Sequence, residues 1–576
     1  MRSCFVIRVR ALVLSLGTSS LLGCAAEGVS AEETAERQDA QVGQVQQACH
    51  DDDNQDWTRF GGNETNSHSN KDRSRERFTA FDTRWASPAG SSITGQPVSD
   101  GERVYVGDYT ATVTARRLRT GEVVWQRTLP GGLPPFQGAR VQNTLVVADG
   151  AVYATEYFTA VLTKMDAETG AVIWTRALGT NPFHRATGSP AYAKWRGKKL
   201  VIQGLDADEN LSYLRDATGA ILLDANGEPL PQVTDNPVLP GQRGFTAVGR
   251  VVAVNANTGV IEWSTAVNAQ PTEFGIGVWS TAAIDERRGR LYIGTGQTYN
   301  PPASPNACAI LGIDLSNGAI RQVMSFVPPN APASESCVWG AAYPNGVGTP
   351  AADADLPGTS GDVDVGSSPI LYTVGNGRHR RDLVAAMNKA GRIRAFDRST
   401  GQLVWERQIS TTGGSVLGNP GISVANGVVF ASVLNDVSSP ARNTLDLSNG
   451  NRIAEIFGPF IIGTYFVNTT TLVALNGATG ATIWSQPNLI GHVLGSPSIS
   501  NGVVYQAAYN GQLRAFDAAN GTPLGTTTTP LIPLGPDFFV NAPYANSVSI
   551  IKNRVYAGTG QQFGPTDGTL TSYDVR

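Results

Sequence analysis

An all-β fold, an eight-bladed β-propeller of four-stranded antiparallel blades closed by pairing of its N- and C-terminal strands, is predicted for this 576-residue chain from three observations. A hairpin motif recurs seven times, a two-strand piece ahead of it recurs eight times, and the chain ends carry complementary fragments of one further unit. The clearest hairpin is IRAFDRSTGQLVW, ending at Trp405, where two extended runs flank an Asp-Arg-Ser-Thr-Gly corner. Its Gly supplies the positive φ that the turn requires. Other copies end at Trp125, Trp174, Trp263, Gln322, Trp484 and Gly525.

The preceding piece is an apolar strand, a turn and a second apolar strand, as in NTLVVADGAVYATEY from Asn143 and GSPSISNGVVYQAAYNG from Gly495. Joined to a hairpin it makes a four-stranded unit, which cannot bury both faces alone but does so when units stack around an axis. The last such piece ends in GTLTSYDVR without a fourth strand, whereas FTAFDTRW, residues 78–85, is a fourth strand without a blade. Pairing the strand near Trp85 with the one near Tyr573 closes the ring and removes two free edges. Adding Trp85 brings the tryptophan-type positions to eight, spaced 40 to 89 residues apart. A bare blade needs about 40–50 residues, so the excess marks insertions around residues 211–245, 301–365 and 434–466. Long loops on a rigid ring are where binding usually sits.

Composition suits this reading. With 64 Gly, 33 Pro and 16% charged residues, the chain has the turn residues that many short strands need. A net charge of −4 provides no general basic field for nucleic acid.

Ahead of the repeats, Arg2, Arg8 and Arg10 precede an apolar run from Ala11 to Leu22 and then Leu-Leu-Gly-Cys24. This resembles a bacterial lipoprotein signal, which implies lipidation of Cys24, export, and a cell-envelope location, as an outer-membrane lipoprotein facing the periplasm or the cell surface. An ordinary secretory peptide or a short membrane anchor is the alternative. The domain reading is a signal over residues 1–23, a polar tether over 24–55 and the propeller over 56–576. Of the remaining cysteines, Cys308 and Cys337 form the preferred disulfide and leave Cys49 free, although spacing alone leaves the other pairings open. There is no C-x-x-C-H for covalent haem, so electrons leaving a redox site would go to another protein.

The segments DWTRFGGNETNS from Asp56, VWSTAAIDERRGRLYIGTGQ from Val278, GDVDVGSSPIL from Gly361 and MNKAGRIRAFD from Met387 resemble the quinoprotein dehydrogenases built on eight-bladed propellers, especially the polyvinyl-alcohol dehydrogenase branch. The resemblance spans residues 56–576. It implies pyrroloquinoline quinone (PQQ) with Ca²⁺, an alcohol substrate and an external electron acceptor such as cytochrome c. It places Trp279 as the aromatic floor of the quinone, Lys389 as the cation at its oxygens, and Glu209 as cofactor and Ca²⁺ ligand, with Asp206 and Asp208 beside it. Gln297 falls where the better-known members carry an Asn ligand to Ca²⁺. Their aspartate base has no match, because Ala303 stands near its place, and their vicinal disulfide is missing. Asp362 and Asp364 are therefore the candidates for a substitute base or metal ligand. His184 and His379 are weaker candidates. The competing reading is a cofactor-free, lipid-anchored scaffold, which resembles the propeller of the outer-membrane barrel-assembly machinery.

Overall fold

The structure is a computed structural model of the chain and describes residues 56–70, 78–129, 140–180, 184–207, 247–298, 303–327, 337, 364–409, 421–434, 469–535, 538–544, 546–560 and 567–575. They belong to a compact unit running from Asp53 to Arg576. Cys24, Glu209 and Asp362, with most of the three insertions, lie outside the described residues.

Eight four-stranded antiparallel blades follow one another along the chain. We number them from Val98 and name their strands A to D outward from the axis. Blade 1 has its A strand at Val98–Ser99 and its B strand at Arg103–Gly107, and blade 2 has them at Val146–Ala148 and Ala151–Thr155. In blade 3 they are Ala191–Trp195 and Lys198–Ala207, in blade 4 Ala283–Asp285 and Arg290–Gly294, and in blade 5 Ile370–Val374 and Arg381–Met387. Blades 6, 7 and 8 begin at Ile422–Ala425, Ser498–Ser500 and Ser549–Ile551. The outermost strand of blade 8 is the N-terminal Phe81–Ala89, antiparallel to Gly568–Val575, with Thr83 opposite Tyr573 and Trp85 opposite Ser572. The closure expected from the chain ends is therefore present.

The repeated hairpin also explains how neighbouring blades hold together. The Trp125 indole lies on Gly170 in the outer turn of the next blade, and its Nε1 donates to the Ala167 carbonyl at 3.0 Å. A Cβ on Gly170, which has φ +70°, would overlap the indole. Glycine is thus needed there for both conformation and space. The indole-to-carbonyl bond repeats from Trp85, Trp174, Trp263, Trp405 and Trp484. Gln322 keeps the bond without the ring, its Nε2 donating to the Arg398 carbonyl at 3.2 Å. At Gly525 the space is taken instead by Phe78.

The axis is filled by a segment whose path the repeats alone did not reveal. Residues 57–70 visit the innermost strands in blade order. Carbonyls of Trp57, Thr58, Glu64, Thr65, Ser67 and His68 accept from Ser99, Val147, Ile284, Leu371, Val424 and Ile499, in blades 1, 2, 4, 5, 6 and 7. The Arg59 guanidinium donates to the Tyr192 carbonyl of blade 3 at 2.6 Å, and Asn70 Nδ2 to the Ile550 carbonyl of blade 8 at 3.1 Å. Eight short A strands would otherwise leave backbone N–H and C=O groups facing the axis, and this thread pairs with them.

Candidate active site

Each A strand starts, and each B strand ends, at the same end of the ring, called here the mouth; the A–B turns lie at the opposite end, the turn face. Repeat-equivalent residues meet at the mouth through one backbone hydrogen bond in each of six blades. Tyr109 N–H donates to Ser92 O, Tyr157 to Arg140, Gly296 to Gly277, Lys389 to Asp364, Tyr509 to His492 and Gly560 to Pro543, over 2.7–3.2 Å. In blade 3, Arg185 pairs with Asp206. Among the described residues a single structural position thus carries Ser, Arg, Arg, Gly, Asp, His and Pro in seven of the eight blades, so a symmetric scaffold presents an asymmetric mouth.

Three of the residues singled out from the sequence converge there, on blades 4 and 5. Lys389 Nζ lies 3.0 Å from Asp364 Oδ2, and the two are also joined by the backbone bond at 2.9 Å. The same ammonium lies 5.0 Å from the ring centroid of Trp279, within cation–π range. Gly366 abuts the edge of that indole so closely that no Cβ would fit. Asp364 and Lys389 are largely buried, which favours keeping the two charges paired.

The glycine pair Gly277 and Gly296 of blade 4 lies between two carboxylates. A Cβ on Gly277 would overlap Asp206 Oδ1 from blade 3, and one on Gly296 would come 3.2 Å from Asp364 Oδ1 of blade 5. The adjacent Gln297 is buried, and its carbonyl accepts from Ile276 N–H at 2.6 Å. Cys308 and Cys337 form a disulfide beside it: Cys308 N–H donates to Gly296 O, and Thr298 N–H to Cys337 O. The bridge therefore braces the strand end that carries Gln297. Ala303 is half-buried and adds no ionisable group near the place of the missing aspartate. Among the described residues no group of three or more His, Cys, Asp and Glu is placed to hold a metal ion.

Sequence reasoning missed Arg140. Its guanidinium carbon lies 4.1, 4.8 and 5.0 Å from the ring centroids of Tyr157, Phe158 and Tyr109. Aligning the repeats on the residue that precedes each A strand by six would have found it. His184, taken as a weak candidate, is instead a buried structural residue. Its Nδ1 accepts from Thr180 N–H at 3.1 Å, its Nε2 lies 2.9 Å from the Val248 carbonyl, and burial lowers its pKa to about 4. His379 is exposed in the turn of blade 5, away from the mouth.

The fold and these repeats define a class, the eight-bladed propellers with PQQ-type repeats. Residues 74–293, 356–462 and 448–576 match the family described as outer membrane protein assembly factor BamB, and the chain belongs to that family. It is 25% identical over 481 residues to a polyvinylalcohol dehydrogenase of Sphingopyxis sp. (strain 113P3), covering 76% of this chain and 61% of the relative. A polyvinylalcohol dehydrogenase of Pseudomonas sp is 23% identical over 494 residues, 78% of this chain and 63% of the relative. The chain thus spans about three fifths of the length of these relatives. In fold it is similar to the quinohemoprotein alcohol dehydrogenase of Comamonas testosteroni, at a TM-score of 0.62 and 15% identity over 90% of this chain and 80% of that one. A europium-containing methanol dehydrogenase gives a TM-score of 0.60 at 13% identity, over 91% and 99% of the respective chains.

Proposed function

We propose that this chain is an exported PQQ-dependent dehydrogenase that oxidises a secondary or polymeric alcohol and passes electrons to an external acceptor such as cytochrome c. The observation that carries this reading is the convergence of the Trp279 indole, the Lys389 ammonium and the Asp364 carboxylate at one mouth. The polyvinylalcohol dehydrogenase relatives support the substrate class.

The donor set fits a planar, anionic quinone. Trp279 would offer its ring face, Lys389 would face the quinone oxygens, and Arg140 would add a second cation for a carboxylate across the mouth. Bound there, PQQ would supply a two-electron acceptor for hydride from the alcohol carbon. Asp364 is the group that can take the hydroxyl proton, and Lys389 fixes the carboxylate's orientation. Ca²⁺ would be held by oxygens of Gln297, Asp364 and Asp206, with Glu209 as the expected further ligand. Two carboxylates and one amide are fewer donors than calcium takes, so the ion depends on that further ligand.

The test is reconstitution of the purified chain with PQQ, with and without Ca²⁺, followed by absorbance and dye-linked alcohol oxidation. Trp279→Ala should weaken quinone binding, whereas Lys389→Ala should mainly slow reduction. A chain that retains no quinone refutes the reading. The second reading, a cofactor-free assembly scaffold, draws on the description of the family. It predicts that Trp279 and Lys389 can be replaced without loss of function.

A further inference from the structure

The turn face is not uniformly charged. The A–B turns of blades 1, 2, 6 and 7 carry Asp100 and Glu102, Asp149, Asn426 and Asn501, and that of blade 8 carries the single cation Lys552, which donates to the Gly101 carbonyl. Those of the three neighbouring blades 3, 4 and 5 read KWRGKK, ERR and GRHRR. Some of this charge is neutralised internally: Lys194 and Lys199 meet Asp149 at 2.9 and 2.6 Å, Lys198 meets Glu262 at 2.9 Å, and Arg288 and Arg380 meet Asp382 at 2.7 and 3.3 Å. Arg196, Arg287, Arg378 and Arg381 are exposed, and none has an ion pair among the described residues. The half-buried Trp195 packs over Gly289 of blade 4, with the Arg196 guanidinium carbon 4.7 Å from its ring centroid. In a chain of net charge −4, this is a local cationic surface with an amphipathic aromatic in it.

A second observation says what meets that surface. Asp56, the first described residue, lies at the A–B turn of blade 1: a Cβ on Gly101 would come 2.7 Å from its carboxylate oxygen. The described part of the chain thus begins at the turn face, and the sequence ahead of it carries the apolar run and Cys24 of a lipoprotein-like leader. The active-site mouth is at the other end of the strands.

We propose that the turn face of blades 3–5 docks on a phospholipid bilayer bearing anionic headgroups. The four arginines would then add an electrostatic attraction to anionic headgroups beside whatever anchoring the lipoprotein-like leader provides. Docked this way, the mouth would face away from the lipid, on the side from which a bulky substrate and a soluble acceptor would approach. The proposal does not depend on quinone binding at the mouth.

The test is flotation of the full chain with phosphatidylcholine vesicles, with and without phosphatidylglycerol, at low and high salt. The expected result is preference for the anionic vesicles, lost at high salt. In R196Q/R287Q/R378Q/R381Q the preference should fall by about fivefold per side chain, from the typical contribution of one cation at an anionic surface. Binding to neutral vesicles and the unfolding temperature should not change. Equal binding of the parent chain to both vesicle types would overturn the proposal, as would a quadruple variant that keeps the preference. Salt-sensitive capture by an acidic protein without headgroup preference would instead make this a protein-docking face. If the chain prefers anionic vesicles yet binds no quinone, only the reading of the mouth fails.

Discussion

At the scale of single residues, the Lys389–Asp364 pair is the sharpest local test. Removing one member leaves the other charged and largely buried, which typically costs about 3–5 kcal/mol, whereas removing both costs much less. Lys389→Met and Asp364→Asn should therefore each lower the unfolding temperature more than their double variant does, as read by thermal denaturation. Proton titration provides a second test. Burial lowers the pKa of His68 and His492 to about 3, and that of His184 to about 4, from 6.5. Below pH 6.5 the unfolded chain takes up protons that these folded histidines refuse. Stability is therefore fully present above pH 6.5 and falls as pH drops toward 4, by about 1.4 kcal/mol per pH unit for each histidine. Denaturant midpoints measured from pH 7 to 4.5 should show this slope, and His68→Gln should reduce it by one proton.

At the scale of the elements, the outer-strand tryptophans couple one blade to the next. Trp405→Ala removes both its packing on Gly480 and its hydrogen bond to the Gly477 carbonyl, and should cost roughly 3–5 kcal/mol by chemical denaturation. Blades 4 and 5, which carry the candidate site, are joined further by a buried network. Arg398 meets Asp285 at 2.6 Å, and Arg288 links Asp285 to Asp382. Burial alone would raise the Asp382 carboxyl; hydrogen bonds from Arg288 and Thr373 and the charge of Arg398 hold it below the usual carboxylate range. The Cys308–Cys337 bridge closes a loop spanning 29 positions beside Gln297. Its reduction should cost about 3–4 kcal/mol, so the C308A/C337A variant should unfold at a lower denaturant concentration than the parent chain.

At the scale of the whole molecule, closure is what turns eight marginal sheets into one cooperative unit. The strand Phe81–Ala89 and the axial thread both come from the N-terminal part, so the ring is completed by residues far apart in sequence. A chain beginning at residue 90 should unfold at a lower denaturant concentration and associate through its exposed edge, as checked by light scattering. Much of this architecture could be read in advance. The hairpin repeat, the mismatched ends and the eight tryptophan-type positions all follow from turn chemistry and strand periodicity. Even Gln322 and Gly525 could be placed by spacing, although not the groups that replace the indole.

The candidate site was less legible. Trp279, Lys389 and Asp364 could be named by resemblance, but their separation in sequence says nothing of the 3.0 Å contact between the last two. Arg140 looked like any loop arginine until the repeat register placed it at the mouth. The chain by itself determined the number of blades, the closure of the ring and the turn residues, because these depend on local backbone preferences repeated many times. Only the tertiary structure decided which side chains share the mouth, how the thread fills the axis and where the cations of blades 3–5 gather, because those depend on stacking in space between blades that sequence order does not encode.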